Sequence, residues 1–194
     1  KTVSLISQCW SYRVIICASV IANLSASNEI IGKDSYRRLL VTSQSAKLCC
    51  AYVYANAGKG ESSTDMVFSG HSLIAENGSL LAESALFQEG CIYADIDLEK
   101  IDQERKRTTT FADCAHAARA GALSGSSREN LPQTITLPLA SDRHACDETG
   151  GILRTIAPRP FVPEKGRART ERCRAVIELQ AQGLAKRLSH TRAK

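Results

Sequence analysis

An α/β layered fold is what this sequence predicts. Three observations carry the prediction: strand-like and helix-like periodicities alternate up to Phe111, an Asn-Gly turn separates two apolar runs, and no apolar stretch is long enough to cross a bilayer. The longest such run, Val14 to Leu24, is interrupted by Ser19 and Asn23. With 43% hydrophobic residues and a mean hydropathy of -0.17, a disordered tail and a multi-pass membrane protein are both excluded.

Taken in order, Val20 to Leu24 predicts a strand that ends in the small polar turn Ser25 to Asn28. Tyr36 to Leu48 predicts a helix with Tyr36, Leu39, Leu40 and Ser43 on one face. A second strand, Cys50 to Ala55, alternates Ala51, Val53 and Ala55 against Tyr52 and Tyr54. Beyond the flexible Gly58-Lys59-Gly60, Met66 to Phe68 and His71 to Glu76 read as extended. Asn77-Gly78 then supplies the two positive-φ positions of a type I′ hairpin before Ser79 to Glu83 returns. Cys91 to Ile96 alternates like another strand, and Asp97 can cap a charged helix from Leu98 to Arg107. Ala112 to Arg159 has little periodicity and reads as a linker. Residues 160–194 open on Pro160-Phe161-Val162-Pro163. They lead through an N-cap at Thr170 into a helix from Glu171 to Leu188, striped by Cys173, Val176, Ile177, Ala181, Leu184 and Leu188.

The net charge of +5 is unevenly held: residues 154–194 carry +8 and residues 1–153 carry -3. The basic end has only Phe161 as an aromatic to stack on bases, so it reads as a solvated helix face, with no nucleic-acid or membrane partner expected. The eight cysteines are irregularly spaced without any Cys-x-x-Cys, and the four histidines lack ligand spacing. Reduced, mostly buried thiols and a cytoplasmic protein without a metal site are therefore expected. Lys1 and the single methionine, Met66, imply that the first residue is not a translation start.

The run Ile21-Ala22-Asn23-Leu24-Ser25-Ala26-Ser27-Asn28-Glu29 is followed by Gly32-Lys33, Tyr36-Arg37-Arg38, Gln44-Ser45-Ala46 and Ala51-Tyr52-Val53-Tyr54-Ala55. With Gly60-Glu61-Ser62-Ser63-Thr64-Asp65 and Phe68-Ser69-Gly70-His71-Ser72-Leu73-Ile74-Ala75-Glu76-Asn77-Gly78, it resembles the glutaminase domain of the glutamine-dependent NAD synthetase family, in the nitrilase superfamily. Pro160 to Pro163, followed by Cys173, Ile177, Gln180 and Gly183 to Leu188, resembles the segment that joins that glutaminase to the synthetase domain.

The resemblance implies a partial nitrilase-type αββα sandwich in residues 1–111, a linker in 112–159 and the first helix of the synthetase domain in 160–194. It implies an enzyme that hydrolyses glutamine with a Glu-Lys-Cys triad, channels the ammonia, and uses ATP with magnesium to amidate nicotinic acid adenine dinucleotide. No residue here matches the triad, which lies upstream in the family; Cys9, in Gln8-Cys9-Trp10, lacks the nucleophile's context. The piece itself is thus expected to be inactive and without a cofactor of its own. Two substrate contacts carry over: Ser27, at a strand end, and Lys33, where some members have arginine. Glu29 and Glu61 are carboxylates that can orient a basic neighbour. His71 is expected to pack or make a polar contact, and Arg37 and Arg38 to pair across a domain or subunit boundary, in a homo-oligomer. The alternatives are a non-catalytic oligomerisation module of the same fold and a stand-alone amidase.

Overall fold

The computed structural model describes residues 18–61, 65–119, 152, 154–156, 158–159, 162 and 165–191. The chain divides into two compact units, residues 1–154 and 155–194. Cys9, Cys17, His144 and Cys146 lie outside the described residues, as do Pro160, Phe161 and Pro163.

The first unit is built on a mixed four-stranded sheet in the order β1-β2-β3-β4. Strand β1 (Val20–Ser25) pairs in parallel with β2 (Ala51–Asn56) across the crossover helix α1 (Lys33–Leu48). Strand β3 (Leu73–Glu76) runs antiparallel to β2 and turns through Asn77-Gly78 into β4 (Ser79–Glu83). Asn77 has φ 44 and Gly78 φ 85, the two positive values the turn demands. At Gly78 space matters too, because a Cβ there would sit 2.9 Å from the Cβ of Ala46 on α1. The α/β class is the one the periodicity predicts.

Parity along the strands puts Ile21, Tyr52, Tyr54, Leu73 and Ala75 on the sheet face beneath α1, where Val41 and Leu48 join them in one cluster. Fully burying a side chain such as Leu73 contributes about 1.5–3 kcal/mol. Ser45, also buried, donates from Oγ to Cys50 O at 2.7 Å and accepts from Gly78 N at 3.2 Å, so helix, strand and turn meet at one hydroxyl.

Helix α2 (Leu98–Arg107) starts where the sequence places it, with Asp97 accepting from Lys100 N at 2.9 Å. Its Arg105 reaches back to Cys49 O at 2.9 Å and Leu48 O at 3.3 Å, engaging the carbonyls at the end of α1, and to Ala18 O at 2.7 Å just before β1.

Several expectations are corrected. The face of α1 that is buried carries Arg37, Val41, Ser45 and Leu48, while Tyr36, Leu39 and Leu40 are exposed, because charged partners on the sheet side draw Arg37 inward. Cys91 to Ile96 alternates in burial but joins no ladder; the Asp97 N–H that follows donates to the Glu76 carboxylate at 2.8 Å and turns the chain into α2. Met66 to Phe68 forms no strand either, and Val67 O accepts from the loop amide of Glu29 at 2.7 Å. The region read as linker from Ala112 begins inside helix α3 (Thr109–Arg119), whose alanines favour helix without any periodic stripe.

In the second unit, helix α4 (Arg167–Thr191) begins before Thr170, which lies inside it and donates its N–H to Gly166 O at 3.3 Å. The stripe from Cys173 to Leu188 is exposed throughout. Among the described cysteines only Cys50 is buried. Cys91, Cys114 and Cys173 are exposed, against the expectation of mostly buried thiols.

Candidate functional site

The loop of residues 26–32 joins β1 to α1 and carries Ser27, with Lys33 the first residue of the helix. The side-chain amide of Asn56, at the end of β2, grips the Ser27 main chain from both sides: Ser27 N donates to Asn56 Oδ1 at 2.8 Å, and Asn56 Nδ2 donates to Ser27 O at 3.0 Å. Lys33 Nζ donates to Asn28 O at 2.6 Å and to Asn28 Oδ1 at 2.9 Å, folding the ammonium back over the loop. Gly32 has φ 83 with open space around it, so the left-handed turn rather than a close approach requires glycine there.

Ser27 and Lys33 line the same cavity of about 460 Å³ between the end of β1 and α1. Asn23, Tyr52 and Tyr54 form its sheet wall, with Asn23 Nδ2 donating to Tyr52 Oη at 3.0 Å. Arg37 and Gln44 contribute from the helix. Hydroxyls, amides and two cations in one concavity suit a small zwitterion or anion. None of the residues that line it is a cysteine. The buried Cys50 thiol is pushed up to about 12 by burial and is no thiolate at neutral pH.

Behind the cavity lies a hydrogen-bonded chain of charged and polar side chains. Arg37 Nη2 binds Glu29 Oε2 at 2.9 Å, and Ser69 Oγ donates to the same oxygen. Arg37 Nη1 donates to His71 Nδ1 at 2.8 Å, His71 Nε2 meets Glu83 Oε1 at 2.8 Å, and Arg38 grips both Glu83 oxygens at 2.7–3.1 Å. Burial pushes the Glu29 carboxyl up, but the hydrogen bonds from Ser69 and Arg37 and the Arg37 charge outweigh it and leave it below the usual carboxylate value. Glu83 is lowered chiefly by the hydrogen bond from Arg38. Arg37 and Arg38 thus pair inside this unit, not across a boundary.

Sequence reasoning gave Glu29 the role of orienting a base, which it performs on Arg37. It missed Asn56, Ser69 and Glu83, for which no local spacing is diagnostic. Glu61 stays exposed, its Oε1 accepting from Gly58 N at 3.5 Å. On the far side of the sheet, burial would raise the Glu76 carboxyl, but Arg154, at 2.7 and 2.8 Å, and the Asp97 N–H hold it lower instead.

No family model matches the sequence. Curated relatives do: the glutamine-dependent NAD(+) synthetase of Mycobacterium bovis is 41% identical over 173 residues, and that of Mycobacterium leprae 39%, each covering 88% of this chain. The chain is homologous to part of glutamine-dependent NAD(+) synthetase. It spans about a quarter, 24%, of the length of these synthetases. A crystal structure of the NAD(+) synthetase from Cytophaga hutchinsonii is 38% identical over 34% of this chain and 11% of that one, with a TM-score of 0.33.

Magnesium chemistry of the synthetase kind needs free carboxylates. Glu29, Glu76 and Glu83 are all engaged by arginine or histidine, and no three His, Cys, Asp or Glu among the described residues stand close enough to hold a metal ion. These residues do not fit an ATP–magnesium site, so no step of that chemistry is assigned to them. Among the described residues, no helix is long and apolar enough to cross a membrane.

Proposed function

We propose that this chain supplies one wall of the glutamine pocket in a glutamine-dependent NAD-forming enzyme. That enzyme would release ammonia from glutamine and use it with ATP to amidate nicotinic acid adenine dinucleotide. The observation that carries the reading is the 41% identity over 173 residues to named synthetases. Within the pocket, the Ser27 hydroxyl would meet the α-amino or α-carboxylate group of glutamine, and the Lys33 ammonium its carboxylate. The nucleophile and its base would come from elsewhere in the enzyme. Free thiols among the described cysteines fit a cytoplasmic protein.

A homo-oligomer is the second part of the reading. Leu39 is exposed on α1 beside Tyr36 and Leu40, which line the cavity, so a second copy of the enzyme would meet this helix at the edge of the glutamine pocket.

The test is a chimera in which this segment replaces the matching stretch of the Mycobacterium leprae synthetase. Lys33→Ala should raise the glutamine KM by a factor matching a lost charge-assisted hydrogen bond, about 1.5–3 kcal/mol. Free ammonia bypasses the pocket, so the ammonia-driven reaction should be unchanged. Equal loss of both reactions would overturn the assignment.

A further inference from the structure

Glu29 lies between Ser27 and Lys33, two residues after the first and four before the second, yet it faces inward. Its side chain is 8% exposed, and that of Arg37, whose guanidinium meets it, is 4% exposed. A guanidinium has only donors, so His71 Nδ1 accepts from Arg37, and His71 Nε2 carries the proton that reaches Glu83. Five side chains, Glu29, Arg37, His71, Glu83 and Arg38, are thus joined in one hydrogen-bonded chain that links the β1–α1 loop, α1 and the end of β4. The Glu29 main chain joins in by donating to Val67 O at 2.7 Å.

Such a chain is a poor route to stability. Removing an ion pair from water offsets most of its attraction, and apolar groups of the same volume would hold α1 to the sheet at least as well. Arg37 Nε is moreover buried with no hydrogen-bond partner among the described residues, which adds a desolvation penalty. Apolar packing would not, however, hold one particular path of the loop main chain. Asn56 anchors one end of the loop at Ser27, and the helix anchors the other at Lys33. Among the described residues, Glu29 ties down the middle from the protein interior, through its carboxylate to Arg37 and Ser69 and its N–H to Val67 O.

We propose that Glu29 and Arg37 are positioning residues, whose braced ion pair fixes the main chain between Ser27 and Lys33 and so sets the spacing and aim of that hydroxyl and ammonium. The proposal rests on the reading in which those two groups contact glutamine. Neither Glu29 nor Arg37 has to touch the substrate.

The test uses the 194-residue chain. Amide hydrogen exchange is followed at Glu29 and Lys33, whose N–H groups donate to Val67 O and Ile30 O, with β3 amides as the monitor of the whole fold. Glu29→Gln keeps the shape and removes the charge. It should speed exchange at both loop amides about tenfold or more while leaving β3 unchanged, and, placed in the Mycobacterium leprae chimera, raise the glutamine KM by a similar factor with the ammonia-driven reaction unchanged. Glu29→Asp, which restores the charge, should recover part of both. Unchanged loop exchange, or acceleration spread equally over β3, would overturn the proposal. Loosening confined to the loop, with a glutamine KM of the Mycobacterium leprae chimera that Lys33→Ala leaves unchanged, would uphold the positioning role and overturn the glutamine reading instead. Should Glu29→Gln fail to fold, Ser69→Ala removes the hydroxyl that donates to Glu29 and accepts the long hydrogen bond from His71 N at 3.4 Å, and should give the same pattern in smaller degree, with β3 amides again unchanged.

Discussion

Helix α1 turns Arg37, Val41, Ser45 and Leu48 toward the sheet, whereas helix α4, 25 residues against 16, buries none of its side chains. By apolar periodicity alone the two would be ranked the other way, since α4 carries the longer stripe. The difference teaches that what a helix buries is decided by the groups across from it. Arg37 is drawn in because Glu29 and His71 await it, while Leu39, two positions on and apolar, stays outside.

The sharpest way to break this comparison is to remove the charge that α1 buries. Arg37→Leu leaves Glu29 enclosed without a counter-charge and should cost about 3–5 kcal/mol in urea denaturation. Leu184→Ser on α4 should shift stability by no more than about 0.5 kcal/mol. Equal effects would mean that the two helices do not differ in the way their burial implies. A smaller loss is expected at the turn beneath α1. Gly78→Ala must adopt φ 85 and press its Cβ against Ala46, which should cost about 1–3 kcal/mol in the same measurement. Smallest is the cap of α2: Asp97→Ala loses the hydrogen bond from Lys100 N and should lower stability by about 1 kcal/mol, leaving the helicity of α4 untouched. A thermal shift larger than that of Gly78→Ala would reverse the order.

The elements that the sequence announces are those whose signal is local. Asn77-Gly78 encodes its own positive φ values, and Asp97 carries its own capping oxygen, so both could be read within a few residues. Ser27 and Lys33 could be singled out through resemblance to a family, and the structure brings both to one cavity, although neither spacing nor polarity marks them out. What escaped was long-range. Asn56 grips Ser27 from 29 positions away, and Arg38 meets Glu83 over 45. Cys91 to Ile96 has the alternation of a strand, but alternation reports half-burial and cannot guarantee a partner ladder. Helix α3 was missed for the opposite reason, since its alanines give propensity without pattern.

The tight turn at Asn77-Gly78 also sets an order in time. Glu76 faces Ser79 across it, so the hairpin closes almost no loop, whereas pairing Val20 with Ala51 must wait for the whole of α1 to be threaded between them. Hairpins of this size form within about 1–10 μs, well before such a parallel crossover is gathered. Glu83, on the returning strand, and His71, just before the outgoing one, are therefore held side by side early. Arg37 and Arg38 then arrive on a helix that docks onto acceptors already in place, and a slow hairpin would delay the assembly of the pocket behind which they stand.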